Sequence, residues 1–347
     1  MRLCSITPTS NREALIGDAL RSVVDWVDVC LLLDLGITDR TLEVAKEVAG
    51  DKLKAVKVPG ELMINFCDVR NFGLDEAAKE ADWGVLLDTD ERLYINGTDV
   101  RGELGKIGDG IVLVQSQDKH YPKERFVSLP AIDRYVGKVH ETIVPLHAKQ
   151  SPLPGVVFLE IQKTPEELKA KLEYILPLLE EETRKDPQCP RWWYYLGDTL
   201  EGLGRRDDAI AAFDRCSVLR GWDEESAWAC FRMAILLENS GRRQDAIDIC
   251  CAGLARHPGI AELAWLAGEV SLRLGWNDKA VYWARMAVAN GTNHGEGHFI
   301  KPRIGFRYDF AAKEGPFDVM ARAYETLGMA EEAASAKKIY EALRGDK

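Results

Sequence analysis

Three carboxylates fall within four consecutive residues, Asp88-Thr89-Asp90-Glu91, directly after the apolar run Trp83-Gly-Val-Leu-Leu87. Like charges this close disfavour one another unless water or a cation offsets them. Mg2+ and Mn2+ bind through one or two carboxylates together with the phosphates of a ligand. The segment therefore suits either a divalent cation with a phosphorylated ligand or a plain solvated turn. Further on, Tyr135-Val-Gly-Lys-Val-His-Glu141 sets a histidine beside a carboxylate, the raw material of acid–base chemistry.

The elements that must position these groups alternate in type. Leu3–Ile6, Val29–Asp34, Leu53–Val58, Trp83–Asp88 and Ile111–Gln115 read as strands, and Asn11–Val24, Asp39–Ala49 and Cys67–Glu80 as helices between the first four. That order predicts an α/β domain with a mainly parallel sheet, whose ligands sit at the carboxyl ends of its strands. Those ends carry Thr7-Pro8-Thr9-Ser10, Asp34-Leu35-Gly36 and the acidic run at Asp88. The proline-rich stretch Ser151-Pro-Leu-Pro-Gly155 reads as a linker, followed by a last strand, Val156–Ile161, and a helix that Thr164 caps. The expected domains are 1–162 and 163–347.

Beyond the last strand the pattern is helical and repetitive. Gly204, Gly241 and Gly275 recur 37 and 34 residues apart, each followed five residues later by alanine (Ala209, Ala246, Ala280). With Trp193, Leu196, Gly197 and Phe213 in the first copy and Met233, Ala234 and Pro258 in the second, the spacing is that of tetratricopeptide repeats. A fourth copy is expected over Phe317–Leu343, around Gly328 and Ala333. Such arrays hold peptides or protein segments, so this half is expected to dock an acceptor or to form a homodimer. Seven of the nine tryptophans fall here and read mainly as inter-helix filling, with a sugar- or base-stacking platform as the alternative. An insertion after the third copy carries His294, Glu296 and His298, either metal ligands or ordinary loop residues, and a basic patch of Lys301, Arg303 and Arg307 suited to an anionic acceptor.

The first half resembles family 2 glycosyltransferases with the GT-A fold. Four ordered stretches carry the likeness: Leu3-Cys-Ser-Ile-Thr-Pro-Thr-Ser-Asn-Arg-Glu13, Leu33-Asp-Leu-Gly-Ile-Thr-Asp-Arg-Thr41, Asn65-Phe-Cys-Asp-Val-Arg-Asn71 with the Asp88–Glu91 strand end, and the G-x-V-H-E element ending at Glu141. The last is similar to the subgroup that carries C-terminal tetratricopeptide repeats. The resemblance implies a GT-A nucleotide-sugar-binding domain followed by an all-α repeat domain, and a metal-dependent inverting transferase using a nucleotide diphosphate donor, most simply UDP-linked. It places Thr7, Pro8, Ser10, Asp34, Arg70, Asp88 and Thr89 around the donor and Asp90 on a Mn2+ or Mg2+ ion. Inversion needs a base near the acceptor: Glu141 is the first candidate and Asp133 the second, while His140 orients Glu141, touches the diphosphate or is structural. The family's histidine on the last strand is missing here; Glu160 either substitutes as a metal ligand or leaves the position unused, and His147 lies close by. The acceptor is a peptide or protein, a glycan or, less in keeping with the charge, a modified nucleic acid. The reading from another class is a repeat scaffold with a degenerate, non-catalytic sugar-nucleotide domain. A nucleotidyltransferase fits poorly, because no Gly/Arg/Lys-rich phosphate loop follows the first strand.

Composition narrows the setting. Across 347 residues the net charge is −11 and neither half is basic, which disfavours broad electrostatic binding to nucleic acid or anionic membrane. No apolar run approaches the length needed for membrane insertion, and the polar N-terminus lacks a signal-peptide core, so a cytoplasmic location is expected. Eight scattered cysteines without a C-x-x-C pair read as free thiols.

Overall fold

The computed structural model describes all residues except 118–120, 145–148, 220, 292–305, 307 and 346–347. The chain divides into two compact units, Met1–Leu168 and Lys169–Lys347. His147, His294, Glu296, His298, Lys301, Arg303 and Arg307 lie outside the described residues.

Unit 1 is built on β1 (Leu3–Thr9), which pairs in parallel with β2 (Val29–Asp34) on one side and, on the other, with the strand at Trp83–Leu86; β3 (Leu53–Lys57) continues the parallel set beyond β2. Helices α1 (Glu13–Arg21), α2 (Thr41–Ala49) and α3 (Phe66–Ala77) make the crossovers, and Trp83–Leu86 is β4. Alternate residues serve opposite faces. Leu3, Cys30, Leu32, Trp83 and Val85 pack with Ile16, Leu20 and Ala45 of α1 and α2. Cys4, Ile6, Leu31, Leu33 and Leu86 pack with Val69, Leu74 and Ala77 of α3. Both faces are dry at β2 and β4, which is why those two strands appear in the sequence as apolar runs, whereas the edge strand β3 is half-exposed. Helix α3 comes so close that a Cβ on Gly73 would lie 2.7 Å from Leu33 Cδ1 and 2.8 Å from Ile6 Cγ2.

The remainder of the sheet departs from expectation. After the acidic turn come β5 (Glu91–Ile95), α4 (Val100–Ile107), β6 (Ile111–Ser116), β7 (Pro122–Ser128), the short pair β8 (Arg134–Val136) and β9 (Thr142–Val144), and the long β10 (Gln150–Glu160). The strand order is β3-β2-β1-β4-β7-β6-β10-β5. Strand β7 enters antiparallel between β4 and β6, and β5 runs antiparallel to β10 at the far edge, while β10 runs parallel to β6; among the described residues four of the seven ladders are parallel, and the sheet is mixed. The expected linker at 151–155 is part of β10. Its backbone shifts register against β6 between Pro152 and Val157, and Leu153 and Val156 are buried on the core side. Gly155 O accepts from Asn96 N–H at 2.7 Å and Pro154 O from the Thr98 hydroxyl at 3.1 Å, so the proline-rich run is held as sheet.

The long helix α5 (Pro165–Lys185) opens with a capping box: Thr164 Oγ1 accepts from Glu167 N–H at 3.2 Å and Glu167 Oε2 accepts from Thr164 N–H at 2.9 Å. Unit 2 continues as helix pairs: α6 (Pro190–Gly202) with α7 (Arg206–Val218), α8 (Asp223–Asn239) with α9 (Arg243–Arg256), and α10 (Ala261–Arg273) with α11 (Asn277–Gly291). After the short α12 (Asp309–Ala312) comes α13 (Gly315–Thr326) with α14 (Ala330–Gly345). Each pair turns on a left-handed glycine: Gly204, Gly241, Gly275 and Gly328 have φ between +74° and +78°. In all four turns the next residue's N–H returns to a carbonyl of the first helix at 2.9 Å, from Arg205 to Leu200, Arg242 to Leu237, Trp276 to Ser271 and Met329 to Tyr324. The expected alanines are buried. Gly197 lets α7 approach, with Phe213 ring carbons 2.7 Å from where a Cβ would be.

Candidate functional site

The acidic turn is fixed from below. Leu87 N–H donates to Ile6 O at 3.1 Å, Glu91 N–H to Asp88 O at 3.0 Å, and Asp88 N–H to Glu91 Oε2 at 3.2 Å. The buried Arg92 guanidinium donates to Thr89 O at 2.9 Å, Glu91 O at 2.7 Å and Leu15 O at 3.2 Å, which ties the turn to α1. Ile161 N–H then donates to Asp90 O at 2.7 Å.

Arg70 on α3 draws two distant motifs together. Its Nε donates to Glu141 Oε1 at 2.5 Å and its Nη2 to Asp88 Oδ2 at 3.1 Å, while the guanidinium lies 5.6 Å from the Tyr135 ring centre. The neighbouring Asn71 uses its amide as an extra strand residue, donating to Tyr135 O and accepting from Tyr135 N–H, both at 2.9 Å. Phe66 N–H donates to Lys138 O at 3.1 Å. Helix α3 thus holds the turn between β8 and β9, in which Gly137 (φ +94°) and His140 (φ +49°) are left-handed. A histidine in that region is uncommon, and its backbone is what aims Glu141 back at Arg70. Asp133 is buried before β8 and His140 is half-buried.

A second cluster surrounds Glu91. Its buried carboxylate meets Arg125 and, at 3.3 Å, Lys123, both on β7. Glu160 at the end of β10 meets the same Lys123 and the Tyr121 hydroxyl, and Asp90 meets Lys163. Burial works against the charge on Asp88, but Arg70, with Arg125 beyond it, overrides that and holds its carboxyl well below the ordinary range. Burial and the adjacent Asp88 charge push Glu91 upward despite Arg125. Glu160 is held low against its burial by Lys123 and Tyr121. Two neighbouring carboxyls pushed in opposite directions are a pattern associated with reactive sites.

Thr7 and Pro8 belong to β1, in register with Leu32 and Leu33, and Ser10 follows its end. Asp34 spends one oxygen on the turn after β2, accepting from Gly36 N–H at 2.8 Å and Ile37 N–H at 2.7 Å. Asn11, which sequence reasoning passed over, bolts the two loops together: its Oδ1 accepts from Thr38 N–H and its Nδ2 donates to Thr38 Oγ1, each at 2.8 Å. Asp34 and Asp88 stand at the carboxyl ends of strands two apart, roughly 10 Å across the same sheet edge.

The expected divalent cation does not fit the side chains as they stand. Among the described residues no three His, Cys, Asp or Glu side chains are grouped to hold a metal ion. The two expected ligands, Asp90 and Glu160, each face a lysine instead. Lys123, Arg125 and Lys163 escaped sequence reasoning because they reach the site only through the insertion of β7 beside β4 and the length of β10. A run such as Lys123-Glu-Arg125 otherwise reads as solvent-facing.

The family model for the tetratricopeptide repeat matches residues 176–216 and 231–294. No curated protein matches the chain. Among solved structures, MamA is similar at 18% identity and a TM-score of 0.41, with 53% of this chain and 96% of that one covered. MamA from residue 41 to its end, from Desulfovibrio magneticus RS-1, gives 17% identity, a TM-score of 0.40 and coverages of 53% and 94%. YrrB, described as a TPR protein with an unusual peptide-binding site, gives 12% identity, a TM-score of 0.39 and coverages of 51% and 80%. The molecule is thus a mixed α/β unit followed by a helical one that carries tetratricopeptide repeats. No helix among the described residues is long and apolar enough to cross a membrane.

Proposed function

We propose that unit 1 is a GT-A nucleotide-sugar-dependent glycosyltransferase domain and that the repeat unit recruits its acceptor, a peptide, protein or glycan. The supporting observation is the Arg70 bridge, which joins the carboxylate after β4 to Glu141, 53 residues later. In this reading an acceptor hydroxyl attacks the anomeric carbon and Glu141 takes its proton. The bond from that carbon to the diphosphate oxygen breaks, and the nucleoside diphosphate leaves with the electron pair. Arg70 orients Glu141, and Lys123, Arg125 and Lys163 face the departing negative charge. Asp34 and the end of β1 flank the nucleoside. A Mn2+ or Mg2+ ion enters this scheme only by displacing Lys163 from Asp90.

A second reading, a repeat scaffold whose α/β unit does no chemistry, draws on the pairing of Asp88, Asp90, Glu91, Glu141 and Glu160 with basic side chains. One experiment separates the two. The full chain is incubated with a panel of nucleotide sugars, with and without Mn2+, and both thermal stabilisation and nucleoside diphosphate release are recorded for wild type and Glu141→Gln. Stabilisation by one donor in both proteins, with release lost in the variant, supports transfer; no stabilisation by any donor leaves the scaffold.

A further inference from the structure

The first helices of three successive pairs, α6, α8 and α10, stand side by side and present one aromatic face. Tyr194 comes from α6, Trp228 and Phe231 from α8, and Trp265 from α10. The chain leading into α12 lies across it. The Phe306 ring is 5.0 Å from Tyr194, 5.3 Å from Trp222 and 6.1 Å from Trp228. Tyr308 is 6.5 Å from Phe231 and 5.5 Å from Trp265, and Phe310 is 5.8 Å from Trp265. Three aromatic residues at alternate positions therefore step from one helix to the next, Phe306 through a left-handed backbone (φ +37°) and Phe310 from within α12. The backbone joins in, with Tyr308 N–H donating to Glu262 Oε1 at 3.2 Å.

This segment rests on the array rather than completing its core. Tyr308 remains 43% exposed and Trp222 40% exposed, whereas Ala209, Phe213, Ala246 and Ala280 inside the helix pairs are buried. We propose that Phe306, Tyr308 and Phe310 are exchangeable occupants of this face, and that the partner for which they stand in is a peptide with aromatic side chains at alternate positions. Binding then requires the chain's own segment to leave, so affinity is set by competition within the molecule.

The probe is a fluorescent peptide with the sequence of residues 304–312, titrated against the full chain by anisotropy. Wild type should bind it weakly, and the double variant Phe306→Ser with Tyr308→Ser at least roughly tenfold tighter, because the cost of displacement is gone. Adding Trp265→Ala should abolish that gain. Equal affinity for wild type and the double variant, or no binding by a double variant that keeps its helical circular dichroism, overturns the proposal. Hydrogen exchange on wild type decides the matter without mutation: the Tyr308 amide should exchange well before those of α8 and α10, whereas equal protection would make the segment an ordinary part of the fold.

Discussion

Glu225, near the start of α8, is almost wholly buried, and its Oε2 lies 3.8 Å from Arg191 Nη1 without a hydrogen bond. Burial pushes its carboxyl up to about 7 from an ordinary 4.5, with Arg191 countering only part of the effect. The sign follows from proton counting. Below about pH 4.5 folded and unfolded chains both carry the proton. Between there and about 7 the unfolded chain ionises while the native one does not, so stability falls, and above about 7 the penalty is constant. A difference of roughly 2.5 pKa units corresponds to about 3 kcal/mol. Glu225→Gln keeps the shape and the neutral polar group but removes the titration. Urea unfolding followed by tryptophan fluorescence, at about pH 3.5 and about pH 8, should show the two proteins equal at the lower pH and the variant ahead at the higher one. With a slope of about 1–3 kcal/mol per molar urea, the midpoint gap is about 1–3 M. Parallel pH profiles for the two proteins would refute the argument, because every other titrating group cancels in the comparison.

Arg70→Met should cost unit 1 about 3 kcal/mol in chemical unfolding, since it strands Asp88 and Glu141 without their cation, and the triple change with Asp88→Asn and Glu141→Gln should recover most of it. The same substitution should weaken acid resistance: the native Asp88 contribution is complete above its ordinary 3.8 and lost as pH falls through the lower native value. Gly197→Ala should destabilise unit 2 by about 1–3 kcal/mol, because its methyl would press on the Phe213 ring; a thermal melt reads this directly. Asn71→Ala, which removes both hydrogen bonds to the Tyr135 backbone, should speed amide exchange in β8 and β9 ahead of any change in α1 or α2.

Strands β2 and β4 were legible because two dry faces demand uninterrupted apolar residues, β1 and the half-exposed β3 from their place in the alternation with helices, and the repeat because each left-handed turn needs its glycine. Strands β5 and β7 were not. Glu91-Arg92 and Lys123-Glu-Arg125 have the composition of a loop, yet Glu91, Arg92 and Arg125 are buried, Glu91 and Arg125 against each other and Arg92 against backbone carbonyls. Pairing between distant strands carries no local signal. The same blindness hid the lysines facing Asp90 and Glu160, while Arg70, Asp88 and Glu141 were reached through the likeness of their surrounding motifs. The proline-rich run at 151–155 misled for a related reason: its missing N–H groups suggest a break, and β10 accommodates them with a shift of register.

The passage from β4 to β5 carries a geometric consequence. Only the four residues from Leu87 to Asp90 separate the two strands, a chord of at most about 18 Å from Leu86 to Glu91. Yet β5 stands four places away in the strand order, roughly 19 Å along a flat sheet. A chord shorter than its arc means that the sheet bends, bringing its far edge round toward its middle. The gathering of Lys123, Glu91 and Glu160, from three different strands, is therefore a product of curvature, and the length of the acidic turn sets how tightly that arc is drawn.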